Sequence, residues 1–483
     1  MAPPQETFFL VMLRDKDGEL VGHAITTNEK DIPSLVISED AEKKKEPATP
    51  AAEEPEVTDT FGIVFNRFSA EMRMYRNFIP LTLGVVPQIA KAMAERGLSE
   101  FGKEHGRERK DLNSETHTVF ELDVNRRGEY SIRHDEIMAA INGADVLPQV
   151  MIIGLVSAYD AFLTQLLRVV FNQHPEIVLT SEKTISFSEL KKYASIKDAQ
   201  DEIIDREIES ILRKSHHAQF ETMETLFKTK LKVDLPIWPS FIELCERRNL
   251  LTHTGGRVSG QYLSVCKSHN YNCASVKVGD LLEVDSKYFS KAVHIVSEIG
   301  FKLCYVFWRK FDHDQRDDAD NLYNNEAYEL IGRRDYRTAE ALLSFSVKVL
   351  QKDGKDSLRR MMIINLANAY RLQKNVDACN KLLDAEDWSA VGDEFALSLA
   401  AVKQDLPEVV RLMKKMGPTG EVRIQDYRTW PVFRGMRTKP EFVQAFSDVF
   451  GEPLFAAKTV TETEKSAAPA IEPAAPGPGK MLN

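Results

Sequence analysis

The sequence predicts a mainly α fold: a helical bundle, then α-helical repeats, with a small α+β region at the N-terminus. Three observations carry this. Apolar residues recur at three- and four-residue spacing through most of the chain after about residue 140. Beyond residue 318 similar segments follow one another, AYELIGRRDYRTAEALL, NLANAYRLQKNVDACNKLL and SLAAVKQDLPEVVRLM. Strand-like alternation is confined to 7–27 and 117–133.

A length of 483 residues suggests two or three domains. Hydrophobic content of 43% and charged content of 28% are those of a soluble globular protein. A net charge of −10 argues against a broadly basic, nucleic-acid-coating surface. The longest apolar candidate, 150–167, is interrupted by Ser157, Asp160, Thr164 and Gln165, so no membrane span is expected. The start MAPPQETFF lacks a basic region before an apolar one, and the five scattered cysteines favour a reducing compartment, so a cytoplasmic location is expected.

In chain order, residues 1–36 hold a hairpin whose two apolar runs flank Asp17-Gly18. Residues 37–60, with EKKKEPATPAAEEPE, read as a disordered linker. Residues 61–139 form an α+β region of unnamed type. It has a helix pair broken at Pro80 and Pro87, and the segments TVFELDV and EYSIR are expected to pair as strands with the N-terminal hairpin. A helical bundle spans 140–312. Its long helix at 147–171 carries the stripe Ile153, Val156, Asp160, Leu163, Leu167. A second helical stretch, 201–231, buries Ile204, Ile208 and Ile211, with His216 and His217 read as solvated. Residues 258–278 read as an irregular loop, and 284–311 as a final helix burying Phe289, Val293, Val296, Ile299, Leu303 and Phe307. Repeats and a cap at 430–442 fill 318–452, and an Ala/Pro/Glu tail fills 453–483.

Residues 241–256, FIELCERRNLLTHTGG, draw the chain together. On a helix, Phe241, Ile242, Leu244, Cys245 and Leu251 share an apolar sector, while Glu243, Glu246 and Arg247 point away. Arg248 falls inside that sector with Asn249 and Thr252, and a buried guanidinium without a partner costs several kcal/mol. His253 lies in the last turn, Gly255-Gly256 is a helix stop, and Pro236 and Pro239 suit its start. Asp160 interrupts the other buried stripe, so the two opposite charges are expected to meet. That bridge either is structural only or also aims the Arg at a substrate. Cys266, His269 and Cys273, with Cys245 or Cys304, form a candidate zinc cluster; the spacing is looser than zinc sites usually show, and buried thiols in a loop suit it better.

The spacing Arg248-Asn249-x-x-x-His253 resembles the signature of HEPN domains, many of which are metal-independent endoribonucleases. The segment LVSAYDAFLTQLLR resembles the family's first helix, with Asp160 where an acid is often seen. The likeness covers 140–312. Residues 318–416 resemble tetratricopeptide helix pairs: Ala339 and Cys379 stand about 40 residues apart, against the usual ~34, with 351–360 as the insertion.

The resemblance implies RNA as substrate and a homodimer whose two motifs share one cleft. His253 would take the 2′-OH proton, and Arg248 would hold the charge that builds on phosphorus. Asn249 would orient the imidazole or cap the backbone, with Asp160 supporting. No cofactor and no metal are expected. The implied role is toxin or antiviral defence, with the repeats binding a protein partner that controls activity. The alternative is an inactive scaffold or adaptor, or an RNA- or nucleotide-binding protein without cleavage; the acidic charge favours it slightly.

Overall fold

The structure, a computed structural model, describes residues 9–14, 20–26, 59–108, 110, 119–179, 188, 191, 193–233 and 235–455. The turn at Asp17-Gly18, nearly all of the expected 37–60 linker and most of the expected tail lie outside these residues. The chain divides into two units, residues 1–58 and 59–483.

In the first unit β1 (Phe9–Arg14) pairs antiparallel with β2 (Leu20–Thr26), Phe9 opposite Thr26 and Leu13 opposite Gly22. The second unit is almost wholly helical. Its α1 (Phe61–His105) runs unbroken through Pro80 and Pro87, where a break was expected. Pro80 sits on an exposed face of the helix, where its ring meets no core. A short pair, β3 (Gly106–Glu108) with β4 (Phe120–Leu122), follows, so TVFELDV pairs here and not with the hairpin. EYSIR is helical: it opens α2 (Arg127–Gln173), because a long run of helix formers behind it overrides its local alternation.

Next come α3 (Ile196–Leu212) and α4 (His216–Phe227), which split the single stretch expected at 201–231. Ser215 makes the second start by accepting from the Ala218 N–H at 3.4 Å. The motif helix α5 (Trp238–Thr254) has a proline in its first turn and ends on Gly255, at φ 59°. Gly256 follows at φ 83°, and both values are costly for any other residue. The expected loop at 258–278 holds another helix, α6 (Gly260–Ser268), capped by Ser259.

Helix α7 (Ser286–Phe311) is the axis of the unit. Every residue from Ala292 to Tyr305 is buried, and so are all six expected apolar positions, four inside this stretch and Phe289 and Phe307 on either side of it. It packs on α1, α2 and α5 and also on α8 (Arg316–Gly332) and α9 (Tyr336–Leu350). One continuous core therefore runs from Phe61 through Phe162, Phe241 and Phe301 to Leu366. The expected borders at 140 and 312 are not borders of the core, because α1 and α8 each bury a face on the same axis.

Beyond α9 lie α10 (Asp356–Leu372), α11 (Val376–Asp384), α12 (Asp393–Lys403) and α13 (Leu406–Met416). Each pair α8/α9, α10/α11 and α12/α13 turns on a left-handed residue, Arg334, Lys374 or Gln404. Each is followed by a capping residue, Asp335, Asn375 or Asp405, whose side chain accepts from the third residue on. A cap of α14 (Ile424–Thr429) and α15 (Pro440–Phe450) buries Phe433, Phe442 and Phe446.

Among the described residues one helix, reaching from 124 to 173, is by length and composition apolar enough to cross a membrane, contrary to expectation. Half of its apolar window is buried, and Ile152, Leu155, Leu163 and Leu167 pack in the core, which accounts for their hydropathy.

Gly300 lets α1 approach α7. A Cβ there would stand 2.3 Å from Phe68 Cζ. That ring cannot retreat, being held between Phe162 and Phe301 at centroid distances of 4.2 and 5.1 Å. Gly300→Ala is expected to lower the unfolding free energy by about 2 kcal/mol in denaturant titration, whereas relief of a helical glycine elsewhere would raise it by up to ~1 kcal/mol.

Candidate functional site

Two opposite faces of α5 are built from charge. On one, the Glu243 side chain is 1% exposed although its position in the wheel points away from the apolar sector. It accepts from Arg247 Nε at 2.7 Å and from the Tyr262 and Tyr288 hydroxyls, both at 2.9 Å. Arg247 lies over the Tyr288 ring at 3.9 Å and donates to the Glu283 carbonyl at 3.0 Å. Burial and the Glu243 charge push both phenols up. The sequence reading missed this knot because the tyrosines that cover Glu243 come from α6 and α7. The signal was the i, i+4 pair Glu243–Arg247, which reads equally well as a solvated surface pair.

On the other face Arg248 meets Asp160. Its Nη2 donates to Asp160 Oδ2 at 3.2 Å, and the two side chains are 23% and 31% exposed. A third group joins them: His216 Nε2 donates to Asp160 Oδ1 at 2.9 Å. His216 is thus buried at the start of α4, not solvated as expected, while its ring stacks edge-on against Phe241 at 5.7 Å. Burial disfavours charge on it, but the Cys245 sulfur and the Asp160 carboxylate outweigh this and lift the imidazole to about 10. A carboxylate flanked by two cations on three helices is the result.

The rest of the motif does not converge within one chain. Asn249 Nδ2 reaches Glu246 Oε1 at 3.4 Å and not His253. His253 is exposed, and its ring makes no hydrogen bond or ion pair with a described residue. Five residues along a helix place it roughly 140° around the axis from Arg248 and about 7.5 Å further on. Thr252, expected within the apolar sector, is exposed too.

Beside His216 opens a cavity of about 490 Å³, lined by His217, Cys245, Glu246, Gln261 and His269 among others. The His217 and His269 rings lie 4.3 Å apart, and burial with His217 nearby lowers the His269 pKa. Of the residues weighed for zinc, Cys266 packs in a small cluster with Leu250, Val258 and Tyr262, and Cys304 lies in the α7 core. Among the described residues no group of three or more His, Cys, Asp or Glu is placed to hold a metal.

Asp160→Asn leaves two cations without their shared carboxylate. A loss of about 2 kcal/mol in unfolding free energy is expected, below the full buried-pair penalty because Arg248 and Asp160 are partly exposed. His216 gains affinity for its proton on folding. Its contribution to stability is therefore complete below pH about 6.5 and lost as pH rises toward about 10. Wild type should lose more stability than His216→Gln across that window; parallel pH profiles would refute the assignment. Compared with family models, curated proteins and solved structures, the chain finds no match.

Proposed function

We propose that the chain is a metal-independent endoribonuclease of the HEPN type, acting as a homodimer in toxin or antiviral defence, with its tetratricopeptide-like hairpins docking a controlling protein. The observation that carries the reading is the free, exposed ring of His253 near the tip of a helix whose Arg248 is held in place by Asp160. Cleavage starts when the 2′-OH gives up its proton and attacks the neighbouring phosphate. An imidazole can accept that proton near neutral pH. A guanidinium forks onto phosphate oxygens as negative charge develops. Since Arg248 and His253 face different ways on one helix, the pocket needs a second copy, the Arg of one protomer facing the His of its partner across a two-fold axis.

A second reading, a scaffold without catalysis, is favoured by one observation: Arg248 and His216 already share Asp160, which ties three helices together whether or not RNA is cut.

Overexpression of the wild type is expected to arrest growth, and the purified protein to cleave RNA in EDTA. His253→Ala should abolish both, by a hundredfold or more in rate, without moving the melting temperature, since the side chain is exposed. Equal harmlessness of the two proteins with no cleavage favours the scaffold. Loss of cleavage in chelator contradicts the metal-free mechanism, and a monomeric mass at micromolar concentration removes the shared pocket.

A further inference from the structure

The first helices of the three hairpins, α8, α10 and α12, lie side by side, and the cap closes the groove they form. Within it is a cavity of about 410 Å³, in the range that takes a long side chain with its flanking backbone. Three kinds of group line it. Tyr328, Phe395 and Trp430 supply aromatic rings. Glu394 and Glu421 supply carboxylates, and no basic side chain lines the cavity. Neither carboxylate forms an ion pair with a described residue, whereas neighbouring Asp393 does, with Lys415 at 2.7 Å. The Glu394 carboxyl is raised above the usual range by burial and by Glu421 beside it, as expected for two acids that lack a cation between them.

Asn324 and Asn365 supply amides. Both are more than nine-tenths buried and both line the cavity. Asn365 Nδ2 donates to Asn324 Oδ1 at 3.0 Å, but no described donor reaches Asn365 Oδ1. The Asn324 amide nitrogen has two hydrogens to give and finds only the Met361 thioether at 3.4 Å, a weak acceptor. Amides with hydrogen-bonding capacity left over on a cavity wall can meet a ligand there. Such an amide matches the backbone N–H and C=O of an extended peptide.

We propose that this groove binds an extended peptide through a Lys or Arg side chain, its cation held by Glu394 and Glu421 against the aromatic wall, its backbone by Asn324 and Asn365. The charge argument selects the class: an acidic side chain would meet two carboxylates, and an apolar one would leave them unpaired. A cation over an aromatic face gains further attraction. The proposal rests on the partner-docking part of the proposed function and names the chemistry of that partner; it does not depend on the nuclease site.

The test is calorimetric titration of the full chain with two hexapeptides, one alternating Ala and Arg, the other Ala and Glu. Binding of the Arg peptide alone is expected, weakened tenfold or more in Glu394→Gln/Glu421→Gln. Because the chain carries a net charge of −10, a control removes the same charge elsewhere, with Asp377→Asn/Asp384→Asn on exposed α11. That control should bind as wild type does. Equal weakening in both double variants would show diffuse attraction and overturn the site. Binding of the Glu peptide would overturn the charge class while leaving peptide docking intact. No binding of either peptide at millimolar concentration would overturn docking in this groove as well.

Discussion

Helix α7 shows no residue to solvent from Ala292 to Tyr305, so every polar side chain there must find its partner inside the protein. One pair closes within the helix and the others reach its neighbours. Lys302 donates to Glu298 at 2.5 Å within the helix, His294 to the Thr338 hydroxyl of α9 at 2.9 Å, and Arg76 of α1 to Ser297 at 2.9 Å. Arg309 pairs with Asp320 of α8, which also accepts from Tyr305 at 2.6 Å. Apolar packing alone tolerates slippage of one helix past another. These bonds do not, because sliding leaves a buried charge unmatched. The axis therefore fixes α1, α8 and α9 in register, and the hairpins continue the bundle.

The motif helix inherits that order. Tyr288 of α7 and Tyr262 of α6 lock Glu243 and Arg247 on one side; Asp160 of α2 and His216 of α4 hold Arg248 on the other. Four helices thus determine the rotation of α5 about its axis. Its last turn alone, with Thr252 and His253, is left to solvent. A helix fixed so firmly, with an exposed tip, presents its terminal side chains from a rigid base.

Much of this was legible in residues that break a pattern. Asp160 and Arg248 each interrupt an apolar stripe, and two interruptions of opposite sign have one cheap solution. Gly255-Gly256 announced the end of α5, and the turns GRRDY and LQKNV announced the hairpins. Other features were hidden because the deciding partner is far along the chain. His216 looks like a surface residue until Asp160, 56 positions earlier, reaches it. Glu243 reads as exposed because a helical wheel knows one helix, and this one is covered on two sides. The prolines of α1 misled for the opposite reason: a local rule for breaking helices yields when packing on α2 and α7 holds the rest of the helix.

The tie at Asp160 looks at first like an obstacle to catalysis, since a guanidinium engaged by a carboxylate has less to offer a phosphate. The count of donors bears on the proposed chemistry. Arg248 carries five N–H groups and one nitrogen, Nη2, is hydrogen-bonded to a described residue. Its Nε is buried without a partner, and 23% of the side chain remains exposed. Asp160 is itself shared with His216, and Glu246 stands close enough to both cations to feel their charge, so two carboxylates face two cations here. The same residues thus lock the bundle while Arg248 keeps N–H groups that Asp160 does not take.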